Sequence, residues 1–265
     1  MSTLETLFEN LWQQYSDVNI QAGQIHSLLR ERGELIVNDH IALRTFGLPE
    51  VNLEVLSEHF KKFGYVEKSQ YEFEEKKLRA KHYELDGQPR VFISELKVEE
   101  FSPFLQETVK GLVASLSKED VQEVGFLYSG SNWPKISYST YCKLRDESEY
   151  AAWMAVFGYV ANHFTISVNE LSTFKNLVQL NHFLKDNGFD LNKSGGEIKG
   201  GSEVFLAQSS TLASEVRVNF GDQDRLIPCC YYEFAERFFM ENDQLYSGFV
   251  ASSADKIFES TDIQK

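Results

Sequence analysis

The sequence predicts an α+β fold. Two β-α-β-β-β modules form a curved antiparallel or mixed sheet around a cleft, with added helices at the N-terminus and between the modules. Three observations predict it. First, the chain repeats. Asp39-His40, a helical segment, His59-Phe60 and Gly64-Tyr65 recur as Asn162-His163, a helical segment, His182-Phe183 and Gly188-Phe189. The strand histidine and the helix histidine are equally spaced in both copies, 40 to 59 and 163 to 182. Second, each copy is followed by alternating runs rich in Tyr, Phe and Val, the residues that favour strands. Third, 42% hydrophobic and 14% aromatic residues supply a normal core for one domain of 265 residues. The expected organisation is a single domain, 1–265. Residues 1–34 are N-terminal helices, 35–117 the first module, 118–158 a connector and helix, 159–240 the second module, and 241–265 a C-terminal tail.

The elements follow in order. Leu4, Leu7, Phe8, Leu11, Trp12 and Tyr15 lie at helical spacing, so 3–16 is an amphipathic helix. A second helix spans about 20–32 and stops at Gly33, a helix-ending residue. Residues 35–46 form the first strand, broken by Gly47, Leu48 and Pro49. Leu53, Leu56 and Phe60 mark a helix ending near Gly64. Strands follow at 67–74, 78–85 and 90–96, with Asp86-Gly87 as a turn. Ser102-Pro103 opens a helix to about Leu116, serine as cap and proline in the first turn. Residues 118–147 read as an irregular connector. A helix at 148–157 closes at Gly158, and 159–168 is the second apolar run. A helix is expected over 171–185, then strands at 202–208, 215–220 and 229–234. Ser252 and Ser253 in the tail suit either closing the cleft or, the expectation here, a surface position.

Charge narrows the function. A net charge of −14 opposes binding to nucleic acid, which needs clustered Lys and Arg, and to anionic membranes. An anionic substrate would need local positive charge, from a metal or a buried arginine. MSTLETLFENLW has no basic region before an apolar run, so no signal peptide is expected, and no apolar run is long enough to span a membrane. Three cysteines, Cys142, Cys229 and Cys230, make no disulfide framework, and a cytoplasmic location is the expectation. Cys229 and Cys230 are expected to point to opposite faces of a strand. Oligomeric state is not legible.

The first strand contains NDHIALRTF. Alternation puts His40, Ala42 and Arg44 on one face, with the imidazole and guanidinium about 13 Å apart at ~3.3 Å per residue. One histidine in a strand is usually structural; the repeat supplies His163 as its counterpart. The run CCYYEFAER supplies a carboxylate, Glu233, on a face shared with Tyr231, and burying it is costly unless it is paired or metal-bound. Glu236 is a rival beyond the apolar run. Glu95 is the comparable place in the first copy and reads as a paired carboxylate. Two histidines and a carboxylate on one side of a metal make the facial triad of non-haem Fe(II) oxygenases. Zn²⁺ in the same set would suggest hydrolysis, and the ligands alone do not choose. Arg44 suits either a salt bridge or a substrate carboxylate, which guanidinium pairs bidentately. Thr165 shares the His163 face, and Gln208 in LAQSST is a further polar candidate; both suit substrate contacts or packing. His26, His59, His82 and His182 read as bystanders. No GxSxG, GxGxxG or GK[ST] motif is present.

These stretches together resemble the 2-oxoadipate dioxygenase/decarboxylases, also called hydroxyglutarate synthases. The matching segments are DHIALRTF, PRVFISEL, SEYAAWMAVFGYVANHFT, LAQSST, YYEFAERF and GFVASSADKIFEST, which cover most of the chain in order. The resemblance implies a vicinal oxygen chelate type fold and Fe(II) held by His40, His163 and Glu233. It implies Arg44 as anchor for the substrate carboxylate. It also implies conversion of 2-oxoadipate and O₂ to 2-hydroxyglutarate and CO₂ in lysine breakdown. The chain lacks extra sequence that better-understood members use in building the substrate pocket. Two other readings remain open: an isomerase, lyase or hydrolase using Zn²⁺, Ni²⁺ or Mn²⁺, and a non-catalytic binder of a metal or small acid.

Overall fold

The computed structural model describes residues 3–261. Helices α1 (Leu4–Val18) and α2 (Ile20–Glu31) open the chain. Thr3 caps α1 by accepting from the Thr6 amide, and Leu7, Leu11 and Tyr15 form its buried stripe. The first module is β1 (Asn38–Phe46), α3 (Leu53–Lys61), β2 (Val66–Phe73), β3 (Leu78–Glu84) and β4 (Arg90–Leu96). The connector carries α4 (Pro103–Val113), α5 (Lys118–Gln122), α6 (Tyr138–Glu147) and α7 (Glu149–Phe157). The second module is β5 (His163–Ser167), α8 (Leu177–Asp186), β6 (Lys199–Gly201), β7 (Leu206–Ser210) and β10 (Glu233–Arg237). A hairpin of β8 (Glu215–Asn219) and β9 (Asp224–Pro228) is inserted before β10, and α9 (Ala251–Phe258) is the last α-helix among the described residues. No helix among the described residues is long and apolar enough to cross a membrane.

The repeat becomes a sheet. Eight strands run in the order β2-β3-β4-β1-β5-β10-β7-β6. Within each half the first and last strands of the module are parallel, β1 with β4 and β5 with β10. The halves meet where β1 pairs antiparallel with β5. This mixed sheet is the predicted α+β architecture. Its convex face packs on α1, where Trp12 and Tyr15 meet Phe164 at 5.2 and 5.0 Å between ring centres. Its concave face carries His40 and His163.

Five elements differ from expectation, each for a local reason. Residues 138–147 form α6 rather than a connector; Ser137 caps it, and its buried stripe is only Tyr141 and Leu144, too narrow for a clear periodic signal. Helix α8 starts at Leu177, not 171, because the Ser172 and Thr173 amides bond the buried Glu34 carboxylate and Asn176 caps the helix. Strand β7 starts at Leu206 because Phe205 takes a left-handed conformation (φ 60°) after a tight turn. The expected strand at 215–220 leaves the main sheet and pairs with β9. Finally, 229–232 is buried but precedes β10, so the two cysteines do not alternate: their Sγ atoms lie 3.5 Å apart. In the C-terminal segment, Ser252 is exposed as expected, but Ser253 is buried where α9 meets Gly200 of β6.

Candidate metal centre

Residues paired across neighbouring strands share a face of the sheet. One row on the concave face runs His40, Thr165, Glu233 across β1, β5 and β10. The next row runs Phe92, Ala42, His163. Tyr231, just before β10, lies beside His163, and its ring stacks on the imidazole at 4.7 Å and 26°. Arg44 lies in the third row, beyond Ala42.

His40, His163 and Glu233 each offer a ligand atom, and these atoms lie within 4.8 Å of one another. The Nε2 atoms of the histidines are 3.3 Å apart. Glu233 oxygens lie 3.6 Å from His40 Nε2 and 3.2 Å from His163 Nε2. The outer nitrogens fix the tautomers. His40 Nδ1–H donates to Asp39 Oδ1 at 2.7 Å and His163 Nδ1–H to Asn162 Oδ1 at 3.1 Å. Both Nε2 atoms are then acceptors. Burial holds both imidazoles below their usual pKa, His163 further so, against the pull of Asp39 on His40. Burial likewise pushes Glu233 up to about 8, despite a 2.5 Å hydrogen bond from Gln208 Nε2. Three buried acceptors converging without a cation among them is a donor set shaped for a divalent metal. It fits Fe(II) in a His₂-carboxylate triad.

The layer behind the ligands was only partly visible in the sequence. Asp39 is also gripped by Arg237, through Nε at 2.6 Å and Nη2 at 2.9 Å. Burial alone would raise the Asp39 pKa, but this ion pair holds it well below the usual range. Asp39 thus keeps a full charge against His40. The Asp-His and Asn-His dipeptides of the repeat were the available signal. Replacing Asp39 by asparagine is expected to weaken metal affinity about 10-fold or more; competition with a chromogenic chelator measures it.

Arg237 has a second task. Its Nη1 donates to the carbonyls of Tyr246 and Gly248, at 2.9 and 2.8 Å. The Phe249 amide donates to the Tyr71 hydroxyl at 3.1 Å, and that hydroxyl bonds His82 at 2.9 Å. The strap 246–249 is therefore fastened, and Phe249 stands edge-on to His40 at 4.7 Å. With Ala254, Ile257 and Phe258 it covers the triad, leaving a cavity of about 20 Å³.

The other predicted residues fall as follows. Arg44 is buried and stacked on Tyr150 and Trp153 at 4.9 and 4.8 Å. It makes no salt bridge among the described residues, and its Nε has no hydrogen-bond partner there. It borders a separate cavity of about 400 Å³, and Phe258 lines both cavities. Thr165 Oγ1 is 3.1 Å from His40 Nε2, so it floors the triad. Gln208 orients Glu233, and its Oε1 has no partner among the described residues. The comparison of Glu95 with Glu233 needs correcting. Phe92 pairs with Ala42 as Glu233 pairs with Thr165, so Phe92 is the counterpart of Glu233. Glu95 instead matches Glu236: each accepts from the first amide of its module's helix, Leu53 N at 2.6 Å and Leu177 N at 2.8 Å. Both carboxylates are helix caps. His59 is buried against Val121 O, His26 packs on Trp12, and His182 is exposed.

Comparisons with known proteins agree with this site. Residues 3–247 match the family model for 2-oxoadipate dioxygenase/decarboxylase. The chloroplastic/amyloplastic 2-oxoadipate dioxygenase/decarboxylase of Oryza sativa subsp. japonica is 38% identical, over 98% of this chain and 79% of the rice protein. The crystal structure of hydroxyglutarate synthase from Oryza sativa in complex with 2-oxoadipate superposes with a TM-score of 0.91 at 38% identity, over 97% of this chain and 91% of that one. A structure from Shewanella frigidimarina, described as a hydrolase, superposes with a TM-score of 0.90 at 51% identity, over 95% and 99%. With a buried His₂Glu triad on a duplicated curved sheet and matches over nearly its whole length, the chain belongs to the 2-oxoadipate dioxygenase/decarboxylase family.

Proposed function

We propose that the protein is an Fe(II)-dependent dioxygenase/decarboxylase that converts 2-oxoadipate, or a similar 2-oxo diacid, and O₂ to 2-hydroxyglutarate and CO₂. One observation carries the reading. Three converging acceptors, His40, His163 and Glu233, share a sheet face with an unpaired, buried arginine two residues past Ala42. Bound iron supplies coordination positions for a chelating 2-oxo acid and for O₂, with the electrons that activate oxygen. The protein supplies the rest. Asp39 and Asn162 keep the Nε2 lone pairs free for the metal. Gln208 holds the Glu233 carboxylate, and Thr165 sits beneath His40. Arg44 pairs with the distal carboxylate, so the spacing from His40 to Arg44 selects diacids by length. The small side chain of Ala42 leaves a floor between the two ends. The strap and α9 exclude water with Phe249, Ile257 and Phe258. We place the protein in the cytoplasm, on the ground that Cys142, Cys229 and Cys230 are all free thiols.

Anaerobic reconstitution with Fe(II), followed by O₂ uptake with 2-oxoadipate, tests the reading. O₂ consumption matched by CO₂ release is expected, and no uptake from the Zn²⁺ form. Absence of uptake with 2-oxoadipate and related 2-oxo acids rejects it and leaves the isomerase, lyase or hydrolase chemistry of a Zn²⁺, Ni²⁺ or Mn²⁺ site.

A further inference from the structure

Tyr231 and Tyr232 are adjacent and fully buried, and neither hydroxyl has a hydrogen-bond partner among the described residues. Their settings differ. Tyr232 points among rings, with Trp12 at 5.8 Å and Phe234 at 5.5 Å. Tyr231 lies on the concave face, flat against the ligand His163. Its backbone is pinned there, since the Tyr15 hydroxyl donates to the Tyr231 carbonyl at 2.5 Å.

A buried hydroxyl without a partner is rare and destabilising. Tyr232 carries such a hydroxyl in an apolar setting, where only its ring contributes. Tyr231 carries one beside a metal ligand, His163, whose row neighbours that of Arg44. A diacid chelated at the triad and anchored at Arg44 crosses the row that holds Ala42, His163 and Tyr231. Ala42 leaves space on one side of His163, and Tyr231 stands on the other.

We propose that the Tyr231 hydroxyl donates a hydrogen bond to the chelating end of the bound 2-oxo diacid, at its 2-oxo oxygen or adjacent carboxylate. Tyr231 is thus a substrate contact in addition to the metal ligands and Arg44. The inference rests on the function proposed above. It makes the missing partner a substrate oxygen, and it explains why this position carries tyrosine where phenylalanine would stack on His163 equally well.

The test compares Tyr231→Phe with Tyr232→Phe in the full chain, using Zn²⁺-loaded protein so that no turnover occurs. Tyr231→Phe loses no intramolecular hydrogen bond, so its metal-free thermal midpoint is expected at or above that of the wild type, and its Zn²⁺ affinity unchanged. Its Kd for 2-oxoadipate, by calorimetry, is expected to rise about 10- to 100-fold, the usual range for a hydrogen bond to a charged group. Tyr232→Phe is expected to leave that Kd unchanged. A Kd within twofold of wild type for Tyr231→Phe, or an equal rise in both variants, overturns the inference and leaves the proposed function standing. A wild-type protein that binds Zn²⁺ but no 2-oxo diacid overturns both.

Discussion

Substituting His163 by alanine is expected to strip the protein of its metal, whereas His182→Ala leaves it loaded. Both histidines belong to the repeat, and the sequence reads the strand histidine as a ligand and the helix histidine as a bystander. The structure separates them. His163 is buried with Nε2 at 3.3 Å from His40 and 3.2 Å from Glu233. His182 is exposed on α8 and belongs to no cluster of metal-ligating side chains among the described residues. A His₂-carboxylate site that loses one imidazole keeps two protein ligands, and metal affinity falls by orders of magnitude. Elemental analysis after dialysis should find less than about a tenth of an equivalent in His163→Ala, and O₂ uptake should drop at least ~1,000-fold. His182→Ala should match wild type in both. The metal-free stability of His163→Ala should change little, because the mutation relieves a convergence of three acceptors while opening a small void beside Tyr231. Equal metal content in the two variants would refute the ligand assignment.

The parts of this site that were legible in the sequence share one property: they lie on duplicated strands. NDHIALRTF alternates cleanly, and the second copy supplied a symmetry mate for His40. Glu233 stood out because a carboxylate in an apolar run is costly. The errors arose where duplication broke down. The β8–β9 hairpin interrupts the second module, and its alternating residues read as the third strand. Glu95 was set against Glu233 from position along the strand, although pairing register is what decides equivalence. The closing segment is where the sequence is least explicit. Residues 241–265 are mostly polar, although Ala251, Ala254, Ile257 and Phe258 lie at helical spacing, and what fixes the strap, Arg237 to the Tyr246 and Gly248 carbonyls, is a contact to backbone. Backbone acceptors carry no trace in sequence. Asp39 was visible as a neighbour of His40, but its ion pair with a residue 198 positions away was not.

Arg44→Met is expected to raise KM for 2-oxoadipate at least ~30-fold while leaving metal content unchanged. The guanidinium is buried over the rings of Tyr150 and Trp153, at 4.9 and 4.8 Å, and makes no salt bridge among the described residues. A buried cation in that state is costly to the free protein and well prepared for an anion. Truncating one partner of a buried charged pair costs about 2–5 kcal/mol, which is a factor of roughly 30 or more in affinity. Methionine fills similar volume and keeps contact with both rings, so folding is expected to survive. Arg44→Lys is expected to rescue poorly, because an ammonium lacks the planar fork that stacks between the rings and pairs bidentately. The discriminating measurement is a ratio. KM for a 2-oxo diacid should rise far more than KM for a 2-oxo monoacid of equal length, which never used the anchor. Phe258 enters the same argument, since its ring lines both the triad cavity and the cavity beside Arg44. A substrate that spans both ends passes that ring, and any cost of displacing it falls on diacid and monoacid alike and cancels in the ratio. A diacid-to-monoacid preference unchanged in Arg44→Met would remove Arg44 from the substrate site and leave the triad as the whole of the recognition.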